Sequence, residues 1–139
     1  MQVKTWHLGD CHHSLVLASF GDTLPEAVYW GPPLPGTEDL RSLAAASATD
    51  VTGGMVDRNA PISLCPEASE TFPGQVGLTG RDAQGRARLP KFCFKSETAS
   101  EHGLTLVYAD SALELSLVLD LSLTPDTSLL RMHTHLEKR

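Results

Sequence analysis

Between residues 112 and 124, Leu113, Leu115, Leu117, Leu119, Leu121 and Leu123 alternate with Glu114, Ser116, Val118, Asp120, Ser122 and Thr124. A period of two places all six leucines on one face of an extended strand. A helix would spread them around its circumference and leave several in water, so the pattern outweighs leucine's intrinsic helix preference. Leu104, Leu106 and Tyr108 share a face before an Ala109-Asp110-Ser111 turn. Leu130, Met132, Thr134 and Leu136 share one after a Pro125-Asp126 turn. The three runs predict an antiparallel meander with these apolar positions inward. Residues 88–95, with Phe92 and Phe94 on one side, predict another strand behind the turn-like Asp82-Ala83-Gln84-Gly85.

Nearer the start, residues 3–8, 14–20 and 27–31 are short β-like runs separated by Gly9-Asp10 and Gly21-Asp22. The Pro-rich Gly31-Pro32-Pro33-Leu34-Pro35-Gly36 cannot continue a central strand, because proline has no ladder donor. One helix is predicted after it. Thr37 is the candidate N-cap, Glu38 and Asp39 lie in the first turn, and Leu40, Leu43, Ala44 and Ser47 share one side. From residue 50 to 78 periodicity lapses, and Gly, Pro, Ser and Thr predominate. Long connections of this kind often carry function. About eight short strands and a short peripheral helix predict an all-β, antiparallel β-sandwich.

Composition narrows the function classes. The chain of 139 residues suits one domain with its own core. Its residues are 41% hydrophobic and 20% charged, which is ordinary for a globular protein. With 11 Lys and Arg against 17 Asp and Glu, the formal charge of −6 works against nucleic acid as a partner. No apolar run approaches the roughly 20 residues of a membrane span, and the first residues lack the pattern of a signal peptide. A cytoplasmic protein without a membrane partner is expected. Cys11, Cys65 and Cys93 are an odd number at spacings that match no zinc ribbon, and are read as reduced thiols.

Several constellations admit a chemical reading beside a plain one. His7, Cys11, His12 and His13 include soft-metal ligands. In an extended segment, however, Cys11 and His13 face away from His12, and all four converge only across a turn. His133 and His135 share a strand face with Arg131 and Glu137, a pair suited to metal binding or acid/base work. The same alternation also makes them ordinary residues of a polar face. They are weak metal candidates, and no metal or other cofactor is otherwise expected. Trp6, Tyr29, Trp30 and Tyr108 suit either a sugar ring or a sandwich core. Trp30, at a strand end before the Pro-rich exit, is the best candidate for a sugar contact. No G-x-S-x-G elbow, P-loop or G-x-G-x-x-G fingerprint occurs.

The order of local signatures adds a resemblance. Val28-Tyr29-Trp30-Gly31-Pro32-Pro33-Leu34 precedes the helical segment, followed by Ile62-Ser63-Leu64-Cys65-Pro66-Glu67 and then Gly77-Leu78-Thr79-Gly80-Arg81. This arrangement resembles the N-terminal domain of glycoside hydrolase family 36, the α-galactosidases or melibiases. Related elements recur there in the same order ahead of paired leucine-rich strands. Cys65 stands where leucine is more usual, and Gln75-Val76-Gly77 departs from the usual approach to the last element. The resemblance implies a galactose-mutarotase-like super-sandwich ahead of a (β/α)8 barrel. There, two aspartates would remove terminal α-linked galactose with retention, as nucleophile and acid/base.

A barrel needs about 250 residues, and no segment here resembles either aspartate motif. The chain is therefore expected to hold no catalytic residue, to be truncated before the barrel and to be inactive alone. Its expected partners are that barrel, other copies of the parent in a homo-oligomer and, through the barrel, the α-galactoside. In tetrameric family members, loops of this domain approach a neighbouring active site, and the matching positions lie around Asp57 and Arg58. Asp57 would accept from sugar hydroxyls, and Arg58 would offer a fork of donors. An independent carbohydrate-binding module and a small sugar-epimerase-like enzyme using His133 or His135 are the alternatives.

Overall fold

The computed structural model describes residues 2–48 and 60–138. Two antiparallel meanders face each other. The first contains β1 (Val3–Gly9), β2 (Ser14–Phe20) and β3 (Glu26–Gly31) in that spatial order. The second contains β6 (Cys93–Ala99), β7 (Gly103–Asp110), β8 (Leu115–Thr124) and β9 (Leu129–Lys138). Between them in sequence lies a small hairpin of β4 (Gly80–Arg81) and β5 (Ala87–Arg88). The mainly antiparallel sandwich agrees with the sequence reading.

The alternation of leucines sets the core. In β7 and β8, Leu104 pairs with Leu121, Leu106 with Leu119 and Tyr108 with Leu117, so the apolar positions of both strands share a face. Opposite them, Trp6 pairs with Leu17 and Leu8 with Leu15. All ten belong to one buried cluster, completed by Leu24, Cys65 and Phe92. The hydroxyls of Ser19 and Tyr108 meet at 3.3 Å inside it. At the edge where β1 faces β6, the Trp6 indole donates to Glu97 and lies against Phe94, whose ring also carries the Lys4 ammonium at 4.0 Å. Trp6 and Tyr108 are thus core residues rather than exposed sugar platforms.

Strand β2 is buried on both faces. Leu15 and Leu17 enter the sandwich, whereas Val16 and Ala18 face outward and are nevertheless fully buried. The one α-helix among the described residues, α1 (Leu40–Ser47), packs against β1 and β3 and buries Ala44. Its N-cap is Asp39, not Thr37. The Asp39 carboxylate accepts from the amides of Arg41 and Ser42, satisfying donors that the first turn leaves free.

Other expectations are corrected. Residues 88–95 are not one strand. Arg88 ends β5, Pro90 lacks a ladder donor, and the Lys91 and Phe92 amides donate instead to Asp110 and Glu67. Nor does the leucine-rich strand begin at residue 112. Asp110 Oδ1 accepts from the amides of Ala112 and Leu113, Glu114 has φ 55°, and β8 starts at Leu115. In β9, Met132 and Leu136 pair with Leu121 and Leu117, as inward residues should. They remain 46% and 45% exposed, because β9 is the outer strand of the larger sheet and the smaller sheet leaves it uncovered.

Candidate functional site

The second meander turns its polar alternate positions outward. Register aligns Thr105, Asp120 and His133 in one row across β7, β8 and β9, with His135 one step along β9. Thr105 Oγ1 donates to Asp120 Oδ1 at 2.6 Å, and His135 Nε2 lies 3.5 Å from Asp120 Oδ2. With Thr98 and Arg131 these residues line a shallow groove of about 400 Å³. Strand alternation puts His133 and His135 on a polar face, and the structure places them there. Asp120, across the sheet, is a neighbour that alternation along β9 does not reveal.

This arrangement offers hydroxyl, carboxylate, imidazole and guanidinium groups to a polar ligand. Among the described residues the imidazoles are the only rings lining the groove, so these residues provide no aromatic platform. The Asp120 and His135 side chains are 42% and 58% exposed, so water screens their interaction and it contributes roughly 1 kcal/mol or less. Among the described residues, His133 and His135 do not join a third ligand in a metal-binding group.

Trp30 lies elsewhere. It pairs with Leu15 at the margin of the smaller sheet and is 47% exposed. Its ring centroid is 5.5 Å from that of His13, at an interplanar angle of 30°. The adjoining Tyr29 hydroxyl donates to the Pro32 carbonyl, fixing the Pro-rich exit. Trp30 therefore retains open ring surface. Asp57 and Arg58 lie outside the described residues.

The N-terminal His and Cys residues do not converge as a foursome. His7 Nε2 is 2.8 Å from Ser14 Oγ, and His13 stacks on Trp30. Cys11 and His12 instead meet Asp126 from the turn between β8 and β9, with one ligand atom of each residue within 4.8 Å of the others. Cys11 Sγ donates to Asp126 Oδ1 at 3.4 Å, and this hydrogen bond to a carboxylate raises the thiol pKa above its usual value. Sequence spacing contains no signal for this meeting, because the partners are 115 residues apart.

The three thiols occupy different settings. Cys11 is exposed, Cys93 is intermediate, and Cys65 is buried. Burial, reinforced by the nearby Glu67 charge, pushes the Cys65 thiol up. Neither Cys11 nor Cys65 is activated as a nucleophile.

No family model matches the sequence, and no curated protein matches it. Similar solved structures include two of the family 36 α-galactosidase AgaA from Geobacillus stearothermophilus. One, of a doubly substituted form in complex with raffinose, has a TM-score of 0.72 and 17% sequence identity. The other, of a singly substituted form in complex with 1-deoxygalactonojirimycin, has a TM-score of 0.65 and 16% identity. Each likeness covers 97% of this chain and 22% of the longer one. The chain therefore shares its fold with about one fifth of that enzyme.

Proposed function

We propose that this chain is a non-catalytic sandwich domain of an α-galactosidase of family 36. In this reading it precedes the catalytic barrel, supports it and contributes to the interface between enzyme copies in the cytoplasm. The observation carrying the proposal is the extent of the fold likeness, which takes in nearly all of this chain but only 22% of the neighbouring enzyme. The ordered Tyr29-Trp30-Gly31, Leu64-Cys65-Pro66-Glu67 and Gly77-Leu78-Thr79-Gly80 elements add support independent of the backbone comparison. Retaining hydrolysis needs two carboxylates about 5–5.5 Å apart across the sugar, and the sequence lacks the motifs that carry them. Asp57 and Arg58 are proposed to reach the substrate entrance of the assembled enzyme.

The test joins this chain to a family 36 barrel stripped of its own sandwich. Restored soluble, active enzyme, alongside no turnover of a chromogenic α-galactoside by the chain alone, is the expected result. Turnover by the isolated chain that is lost in a His133→Ala/His135→Ala variant would overturn the non-catalytic assignment in favour of an enzyme using this face.

A carbohydrate-binding module is the second reading, favoured by the half-exposed Trp30 and the polar groove over Asp120. It predicts a saturable change in tryptophan fluorescence with galactose, melibiose or raffinose, abolished by Trp30→Ala. A flat titration to tens of millimolar excludes it.

A further inference from the structure

We propose that Cys11, His12 and Asp126 form a site for a soft divalent cation, zinc in the first instance, which ties the β1–β2 turn to the β8–β9 turn. The two turns belong to opposite sheets and meet at one end of the sandwich. Their ligand atoms already lie close to coordination spacing. Zinc takes thiolate sulfur at about 2.3 Å and carboxylate oxygen at about 2.0–2.2 Å, so a tetrahedral site requires a sulfur-to-oxygen separation of about 3.5 Å. Cys11 Sγ and Asp126 Oδ1 stand 3.4 Å apart. All separations among the three ligand atoms lie within 4.8 Å, and a movement of about 1 Å by the exposed His12 ring brings it to tetrahedral spacing.

Both turns are braced. Asp10 Oδ1 accepts from the amides of His12 and His13 at 2.8 Å, and the Asp10 amide donates to the His13 carbonyl. Thr127 Oγ1 donates to the Thr124 carbonyl at 2.9 Å. The other Asp10 oxygen, Oδ2, is enclosed without a hydrogen-bond partner among the described residues. Around a dication, one thiolate and one carboxylate balance the charge, and neutral imidazole supplies the third ligand. Thiolate and imidazole select zinc-like ions over magnesium or calcium. Exposure of all three residues leaves the fourth position to water. On binding, the Cys11 S–H bond breaks, its proton leaves to solvent, and sulfur–metal and oxygen–metal bonds replace the S–H···O hydrogen bond. No oxidation state changes.

The test titrates cobalt(II) into the full chain. A thiolate-to-cobalt charge-transfer band should saturate at one equivalent and disappear as zinc displaces cobalt, with about one proton released per zinc as ligand deprotonation requires. Zinc should also raise the melting temperature, since it binds the folded state in which the turns meet. Cys11→Ser removes the band. His12→Ala and Asp126→Asn weaken binding by at least about tenfold, and Asp126→Asn abolishes the thermal shift. Asparagine suits the Asp126 backbone, whose φ of 61° it tolerates, and circular dichroism confirms that the variants remain folded. The His133→Ala/His135→Ala variant should bind like the parent. Absence of the band, full affinity in Asp126→Asn, or loss of binding in the His133/His135 variant overturns the proposal. None of these outcomes depends on the α-galactosidase reading.

Discussion

Gly77 packs directly on Cys65: a β-carbon at position 77 would stand 2.5 Å from Cys65 Sγ and 3.0 Å from its Cα. The Gly77 amide donates to the Pro66 carbonyl at 2.8 Å, and the Leu64 amide reaches back to Pro25. Two motifs that look separate in sequence thus form one joint beside the smaller sheet. Because part of the clash is with backbone, side-chain rotation alone cannot relieve it. Gly77→Ala should therefore destabilise the fold by about 1–3 kcal/mol. Urea unfolding measures this, and Cys65→Ala introduced alongside should recover part of the loss; strict additivity of the two changes would refute direct contact.

Tyr108→Phe should cost about 1 kcal/mol near neutral pH, because it leaves the buried Ser19 hydroxyl without its partner. Burial pushes the Tyr108 pKa from 10.0 to about 12, partly countered by the Ser19 hydrogen bond. The folded state therefore favours the neutral phenol. Its contribution is complete below pH 10.0 and is lost as pH rises through about 12. Denaturation at a series of alkaline pH values should show a steeper decline in the parent than in the Phe variant.

Asp110 has the opposite linkage. Burial acts to raise its pKa, but amide donors from Lys91, Leu113 and Ala112 together outweigh that effect and hold it below 3.8. Its ionised form contributes stability above pH 3.8, and the contribution is lost as pH falls through the lower folded value. Both carboxylate oxygens accept hydrogen bonds, so an asparagine cannot replace both. Asp110→Asn should cost about 1–3 kcal/mol near neutral pH, and acid titration should show the gap between variant and parent narrowing.

Leu119 and Met132 test which apolar positions bear the core. Leu119 is 1% exposed, and Leu119→Ala should cost about 2–5 kcal/mol. Met132 lies on the same sheet face but is exposed, so Met132→Ala should cost less than about 1 kcal/mol. Equal losses on thermal unfolding would mean that the isolated chain covers β9 in solution.

The sandwich and the facing of β7 and β8 were legible in the chain because strand periodicity is local: each leucine two positions on must return to the same side. The same rule put His133 and His135 on a polar face. It could not show where a strand stops. Leu113 continues the alternation, yet the Asp110 carboxylate captures the local amides and turns the chain there. Thr37 and Asp39 are both acceptable cap residues, but the Glu38 amide donates to the Pro35 carbonyl in a turn that encloses Thr37, and the helix starts after Asp39.

Burial and long-range meetings belong to the tertiary structure. Met132 keeps the right register and still meets water, because the width of the opposing sheet decides what is covered. Asp120 joins His135, and Asp126 joins Cys11 and His12, through strand register and sheet packing. Periodicity records the side from which a residue leaves its strand, whereas its partner depends on the position of another strand or turn far along the chain.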